Sequence, residues 1–138
     1  MGTCYLRNDA YWPTMLDNPE ATAYERNHAA WIEKVQKVVC SKSLKKAVWH
    51  NTQLITDNLI EEVEALKEQE RQDIVVLGSP RLARFLLKEK LADELKLSVS
   101  PVTLGEGLHL FKDIQSNLIL ERSITMSNGV LGLTYKVS

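Results

Sequence analysis

The sequence predicts an α/β chain, with strands and helices alternating through its first two thirds and an antiparallel arrangement at its end. Three observations carry this. The apolar run Ile74-Val75-Val76-Leu77 passes through Gly78 into Ser79-Pro80 and an amphipathic stretch with Leu82, Phe85 and Leu86 on one face. Such a run reads as a short buried strand, Ser79 as an N-cap and Pro80 as the first helical residue, where a missing N–H costs nothing. Second, Glu94 to Ser100 alternates strictly between polar and apolar and stops at Pro101, the pattern of a strand with one buried face. Third, Leu118–Thr125 and Val130–Val137 flank Ser127-Asn128-Gly129, and Asn-Gly is the strongest short hairpin signal.

The bulk properties bound the answer. At 138 residues, 44% hydrophobic and 25% charged, the chain reads as a single soluble domain over residues 1–138 with a genuine core. A formal net charge of −1 gives no reason to expect nucleic acid or an acidic membrane as a partner. No apolar run reaches the length of a membrane span, and the first residues lack a signal-peptide pattern, so a cytoplasmic location is expected. Cys4 and Cys40 form no metal-spaced pair and are expected as free thiols.

The remaining elements follow in order. Asn18-Pro19-Glu20 predicts a helix start, with Asn18 as cap, running to about Lys34 with Tyr24, Trp31 and Val35 roughly on one side. His28 in its middle reads as a solvated or partly packed helical residue. Lys37 to Ser41 predicts a short strand that ends in a polar break, and Gln53-Leu54-Ile55 a second one. Asp57 is expected to cap a helix with Ile60, Val63 and Leu66 inward and Glu61 and Glu62 in its first turn. Strand, helix, strand, helix in succession argues for parallel strands with crossover helices. Thr103 to Leu108 is a Gly-punctuated loop, after which Leu110-Phe111 is expected to plug back into the core.

Few residues announce chemistry. No Ser/His/acid set and no metal motif can be placed from spacing, so the catalytic residues stay unknown. Asp93-Glu94 reads as solvent-facing, and His109 as packing or solvated. The informative pair is two strand-end loops, Ser41-Lys42-Ser43 and Gly78-Ser79-Pro80-Arg81. The lysines at 42, 45 and 46 make a basic cluster that is either a solvated loop or a phosphate contact. At the second loop, free N–H groups and the positive end of a helix dipole suit a phosphate. In one parallel sheet both loops would lie along the carboxyl edge, where an extended phosphate-bearing ligand spans them.

The chain resembles the dihydrofolate-reductase-like family that contains the C-terminal reductase domain of bacterial riboflavin biosynthesis. The matching pieces are Tyr11-Trp12-Pro13, Lys37 to Leu44, Asp73 to Ser79, Leu91 to Leu95, Pro101 to Gly107, Leu110-Phe111 and Gly129 to Tyr135, in the family's order over nearly the whole chain. The resemblance implies a mixed sheet flanked by helices with a C-terminal antiparallel hairpin, and an NADPH-dependent reductase of a small heterocyclic or carbonyl substrate. Carried over by position, Ser41 and Lys42 lie near the adenosine phosphate. Leu77, Gly78, Ser79, Pro80, Arg81 and Leu82 cradle the pyrophosphate, and Tyr5 and Trp12 are candidate substrate contacts. The family normally opens with a strand and a Leu-Asp-Gly-like loop. Here Met1-Gly2-Thr3-Cys4-Tyr5 stands where the family shows Gly-Arg-x-Thr-Tyr, and it has no arginine. On that departure the expectation is a homodimer with an incomplete nicotinamide end and little or no reductase activity. The alternative is a non-catalytic or truncated member acting as a nucleotide-binding or assembly module.

Overall fold

The computed structural model describes residues 10–69 and 73–138. The Met1–Tyr5 motif, with Cys4 and the candidate Tyr5, lies outside the described residues. Met1–Asp73 and Ile74–Ser138 form two units, and each is described by itself.

In the first unit a 3-10 turn, Trp12–Met15, leads into helix α1, Ala23–Lys34. Met15, Ala21 and Ala29 are buried together, with Trp12 packed against them. The cap of α1 is Thr22 rather than Asn18. Thr22 Oγ1 accepts from the Glu25 N–H at 3.2 Å, and Glu25 Oε2 accepts from the Thr22 N–H at 2.8 Å. This reciprocal box satisfies two donors at once. Asn18 instead accepts from the Glu20 N–H at 3.0 Å, a local turn ahead of the helix. The Thr22 N–H and then its hydroxyl hold the Glu25 carboxyl below its usual range. Thr22→Ala should cost about 1 kcal/mol in chemical denaturation. A group with a depressed folded pKa stabilises above its unfolded value and loses that as pH falls through the folded one. The difference between wild type and Thr22→Ala should therefore narrow in acid.

Strands β1, Lys37–Cys40, and β2, Thr52–Ile55, pair in parallel from Lys37 opposite Thr52 to Cys40 opposite Ile55. Val39 and Ile55 are buried, and burial pushes the Cys40 thiol pKa up. The connection between the strands, residues 41–51, is a loop, as the polar break after Ser41 suggested. The helix comes after β2 as α2, Leu59–Lys67. Its cap position is Asn58, at φ +48° and without a side-chain cap bond, while the Asp57 carboxylate accepts from the Thr56 hydroxyl at 3.1 Å. Asp57 is thus one residue too early to cap.

The carboxyl end of α1 is closed by side chains rather than by a glycine. Lys37 Nζ donates to the carbonyls of Ile32 at 2.9 Å, Glu33 at 3.4 Å and Val35 at 3.0 Å. Asn51 Nδ2 donates to the Lys34 carbonyl at 3.1 Å. The Glu33 carboxylate accepts from Trp49 Nε1 at 3.1 Å and lies 3.1 Å from His50 Nδ1. These groups satisfy the carbonyls that a helix leaves open and put a cation at its negative end.

In the second unit, the first expectation fails. Residues 74–77 belong to no strand, and Ile74, Val75, Val76 and Leu77 are 52%, 59%, 40% and 46% exposed. A β-branched apolar run has the propensity for a strand, but a strand also needs a neighbour to pair with. Among the described residues none pairs with this run.

The helix that follows, α3, is Pro80–Lys88. Leu86 and Leu87 are its buried residues, with Leu82 and Phe85 half-buried, so the inward face is turned slightly from the expected one. Strands β3, Glu94–Val99, β4, Leu118–Thr125, and β5, Leu131–Val137, form an antiparallel sheet in the order β3-β5-β4. The β4–β5 turn is the expected hairpin, with Gly129 at φ +82° and the Val130 N–H donating to Asn128 Oδ1 at 3.2 Å. Leu131, Leu133, Tyr135 and Val137 share a face, as predicted, and the first three stand opposite Val99, Leu97 and Leu95 on β3. Phe111 does not plug the core: it is 45% exposed and lines a cavity of about 160 Å³ with Leu87, Ile114, Ser116 and Leu118.

Candidate nucleotide site

The Gly78–Leu82 loop is a tight turn that opens into a capped helix. Gly78 has φ +64°, a conformation a glycine adopts without steric cost. Ser79 then caps α3, its hydroxyl accepting from the Leu82 N–H at 3.4 Å and its carbonyl from the Ala83 N–H at 2.9 Å. Pro80 has no N–H to offer, which leaves the Arg81 N–H in the first turn, where a helix supplies no internal acceptor. No acidic side chain stands in that first turn, which leaves its own residues adding no negative charge at the dipole's positive end. Arg81 itself is exposed there. The residue types and backbone therefore fit a pyrophosphate. The long Leu82-to-Ser79 bond is one that a charged oxygen can displace.

The Ser41 loop is built differently. Ser41 is 4% exposed, and its N–H extends the β1–β2 ladder to the Ile55 carbonyl at 2.9 Å. Its hydroxyl accepts from the Leu44 N–H at 3.1 Å and from the Ser43 N–H at 3.4 Å. Ser41 thus shapes the loop from inside, while Lys42 projects at its exposed surface. The strand at residues 74–77 that the expected common sheet edge requires is not present, since these residues belong to no strand.

Trp12 belongs to an aromatic cluster that sequence periodicity only half revealed. His28 lies 4.3 Å from Trp12, 6.0 Å from Tyr24 and 5.5 Å from Trp31 between ring centroids, and Tyr11 meets Trp12 edge-on at 5.1 Å. The spacing of Tyr24, His28 and Trp31 along one helical face was the available signal. His28 is partly packed, as its helical position suggested. In the second unit, His109 uses its carbonyl to accept from Arg84 Nη1 at 3.4 Å. The Gly105-Glu106-Gly107 loop is exposed, with open space around both glycines. Among the described residues there is no cluster of metal-binding side chains, and no helix is long and apolar enough to cross a membrane.

Comparison with solved structures gives the class first. A protein from Shewanella sp. PV-4 whose name assigns it to riboflavin biosynthesis matches with a TM-score of 0.64 and 17% identity, over 92% of this chain and 86% of that one. A pyrimidine reductase-like protein, DIP1392, from Corynebacterium diphtheriae matches with a TM-score of 0.51 and 19% identity, over 87% of this chain and 47% of that one. At these identities the likeness shows the fold, which is the mixed α/β, dihydrofolate-reductase-like class. The chain belongs to the RibD C-terminal domain family, whose model matches residues 3–131. A curated relative, the uncharacterized protein YyaP of Bacillus subtilis (strain 168), is 37% identical over 113 residues. That match takes in 75% of this chain, which spans 59% of the relative's length.

Proposed function

We propose that the chain is an NADPH-dependent reductase of a small heterocyclic or carbonyl substrate, with the cofactor's pyrophosphate held at Leu77 to Leu82. The observation that supports this most is the start of α3, where a left-handed Gly78 and a Ser-Pro cap open a helix with no acidic residue in its first turn. Membership of a reductase-like family gives the reaction class. NADPH, when bound, supplies the hydride. The chain's own residues bind and orient: the Arg81 N–H and guanidinium face the pyrophosphate, and Gly78 lets the backbone approach it. Lys42 meets the 2′-phosphate as a point charge, with Ser41 holding the loop that presents it. Trp12 contributes an aromatic face to the substrate.

Calorimetric titration with NADPH and NADH tests the reading directly. The wild-type chain should bind NADPH, and Lys42→Ala should weaken NADPH about tenfold while leaving NADH unchanged, since only one carries the 2′-phosphate. Equal losses for both would return Lys42 to a solvated loop. NADPH oxidation in the presence of a pterin, flavin-precursor or carbonyl substrate then separates a reductase from a module that only binds nucleotide. No binding of either cofactor would overturn both.

A further inference from the structure

Asn128 is the one asparagine in the sequence that precedes a glycine, and the β4–β5 hairpin presents the pair at its tip. Both residues are exposed. An asparagine carboxamide is an electrophile at Cγ, and the backbone nitrogen of the next residue can close a small unstrained ring on it. A side chain on that next residue crowds the approach, and glycine has none. Every other asparagine of the chain is followed by a residue that carries a side chain.

The turn holds the reacting groups in place and restrains one of them. The Gly129 N–H donates to the Met126 carbonyl at 2.9 Å, and the Met126 N–H donates to the Val130 carbonyl at 2.8 Å. Neither Ser127 nor Asn128 has a positive φ, so Met126 to Gly129 is a type I turn whose last residue is a left-handed glycine at φ +82°. The Val130 N–H donates to Asn128 Oδ1 at 3.2 Å, which curls the carboxamide back over the Gly129 peptide. That oxygen is the one that gains negative charge when the Gly129 nitrogen attacks Cγ. A donor therefore already stands where the charge develops. What opposes the attack is the bond to Met126. The Gly129 nitrogen becomes a nucleophile only by losing the proton that this bond holds.

We propose that Asn128 is a site of spontaneous deamidation, released when the bond from Gly129 to Met126 opens. The Gly129 nitrogen gives its proton to solvent and bonds to Cγ. The bond from Cγ to Nδ2 breaks, and Nδ2 leaves as ammonia after taking up a proton, which leaves a succinimide. Water then opens the ring, and nothing is oxidised or reduced. Its attack at Cγ gives aspartate, and its attack at the main-chain carbonyl gives isoaspartate, in which the chain runs through Cβ and Cγ. Aspartate keeps an oxygen for the Val130 N–H and with it the hairpin. Isoaspartate lengthens the backbone inside the turn, so the two bonds made by Met126 no longer fit together. Strand β5 is the central strand of its sheet, so a shift there reaches both neighbours.

Incubation of the full chain at neutral pH, followed by peptide mapping with mass spectrometry, tests this. The Asn128 peptide should show the mass change of an amide exchanged for an acid, in two forms that chromatography separates. The peptides holding Asn58 and Asn117 should stay unchanged. In urea the rate at Asn128 should rise about tenfold or more, because the protecting bond is then open throughout. Ser127→Pro sets proline at the second position of the turn, where type I geometry favours it. That variant, with circular dichroism as a check on folding, should slow deamidation and Gly129 amide exchange by the same factor. An Asn128 peptide that remains an amide in both conditions, a folded rate equal to the rate in urea, or a Ser127→Pro rate that does not follow its amide exchange would each overturn the proposal.

Discussion

Gly78→Val is expected to abolish nucleotide binding, and Gly78→Asn to weaken it while leaving the fold intact. Gly78 sits at φ +64°, where a β-branched residue is sterically disfavoured by about 1–2 kcal/mol. The valine variant relieves that strain by moving the turn, and the turn is what aims the first N–H groups of α3. Asparagine visits the left-handed region readily, so it keeps the turn and adds only side-chain bulk near the backbone. Comparing the two variants separates conformation from bulk. In calorimetric titrations NADPH heat should vanish for Gly78→Val and persist, reduced, for Gly78→Asn. Unchanged NADPH affinity in Gly78→Val, with circular dichroism showing the fold retained, would remove the pyrophosphate assignment altogether.

The parts of the fold that could be read from sequence are those whose signal is local. Ser79-Pro80 caps a helix through one hydroxyl and one fixed φ, and the structure places both where expected. Asn128-Gly129 makes its hairpin because left-handed backbone is needed at that glycine and little else is required. The strict alternation from Glu94 gave β3 and its half-buried leucines at 95 and 97. Errors arose where two local signals competed or where a neighbour decides. Asn18 and Thr22 are both good caps, and the choice fell to Thr22 because Glu25 stands three residues on to complete the box. Ile74 to Leu77 has strand composition, but pairing depends on a partner that composition cannot specify. Ser41 is marked by its position along the family's pattern, whereas the bonds its hydroxyl accepts from the Ser43 and Leu44 N–H groups have no sequence signature. The closing of α1 by Lys37, Trp49, His50 and Asn51 had no sequence signature. It depends on a parallel pairing that brings the 49–51 turn back to the end of a helix.

That closure carries the second large expected effect: Lys37→Met should destabilise the chain by about 2 kcal/mol, while Lys37→Arg should cost much less. Two terms oppose each other at Lys37. Burial pushes the ammonium pKa down, with the nearby Glu33 carboxylate acting against that shift, so holding the charge there is itself costly. Methionine removes that cost and keeps most of the apolar stem. It also leaves the carbonyls of Ile32, Glu33 and Val35 without their shared donor and removes the cation 4.8 Å from the Trp49 ring. Water can reach part of this helix end, which limits the loss at each carbonyl. A charged donor bonded to carbonyls at 2.9 and 3.0 Å at a negative dipole end is still worth more than the desolvation it suffers. The stacking over Trp49 adds about 0.5–1 kcal/mol in the same direction. Arginine keeps the charge and the donors, though its fork cannot reach three carbonyls as a single ammonium does. Urea unfolding should therefore show a lower midpoint for Lys37→Met with an unchanged slope, and a midpoint close to wild type for Lys37→Arg. Asn51→Ala, which removes the bond to Lys34 and also sets an alanine at φ +54°, where asparagine is better tolerated, should lower the midpoint as well. A Lys37→Met midpoint equal to wild type would mean that water replaces the ammonium without loss, and the end of α1 would then be held by Asn51 and the glutamate cluster alone.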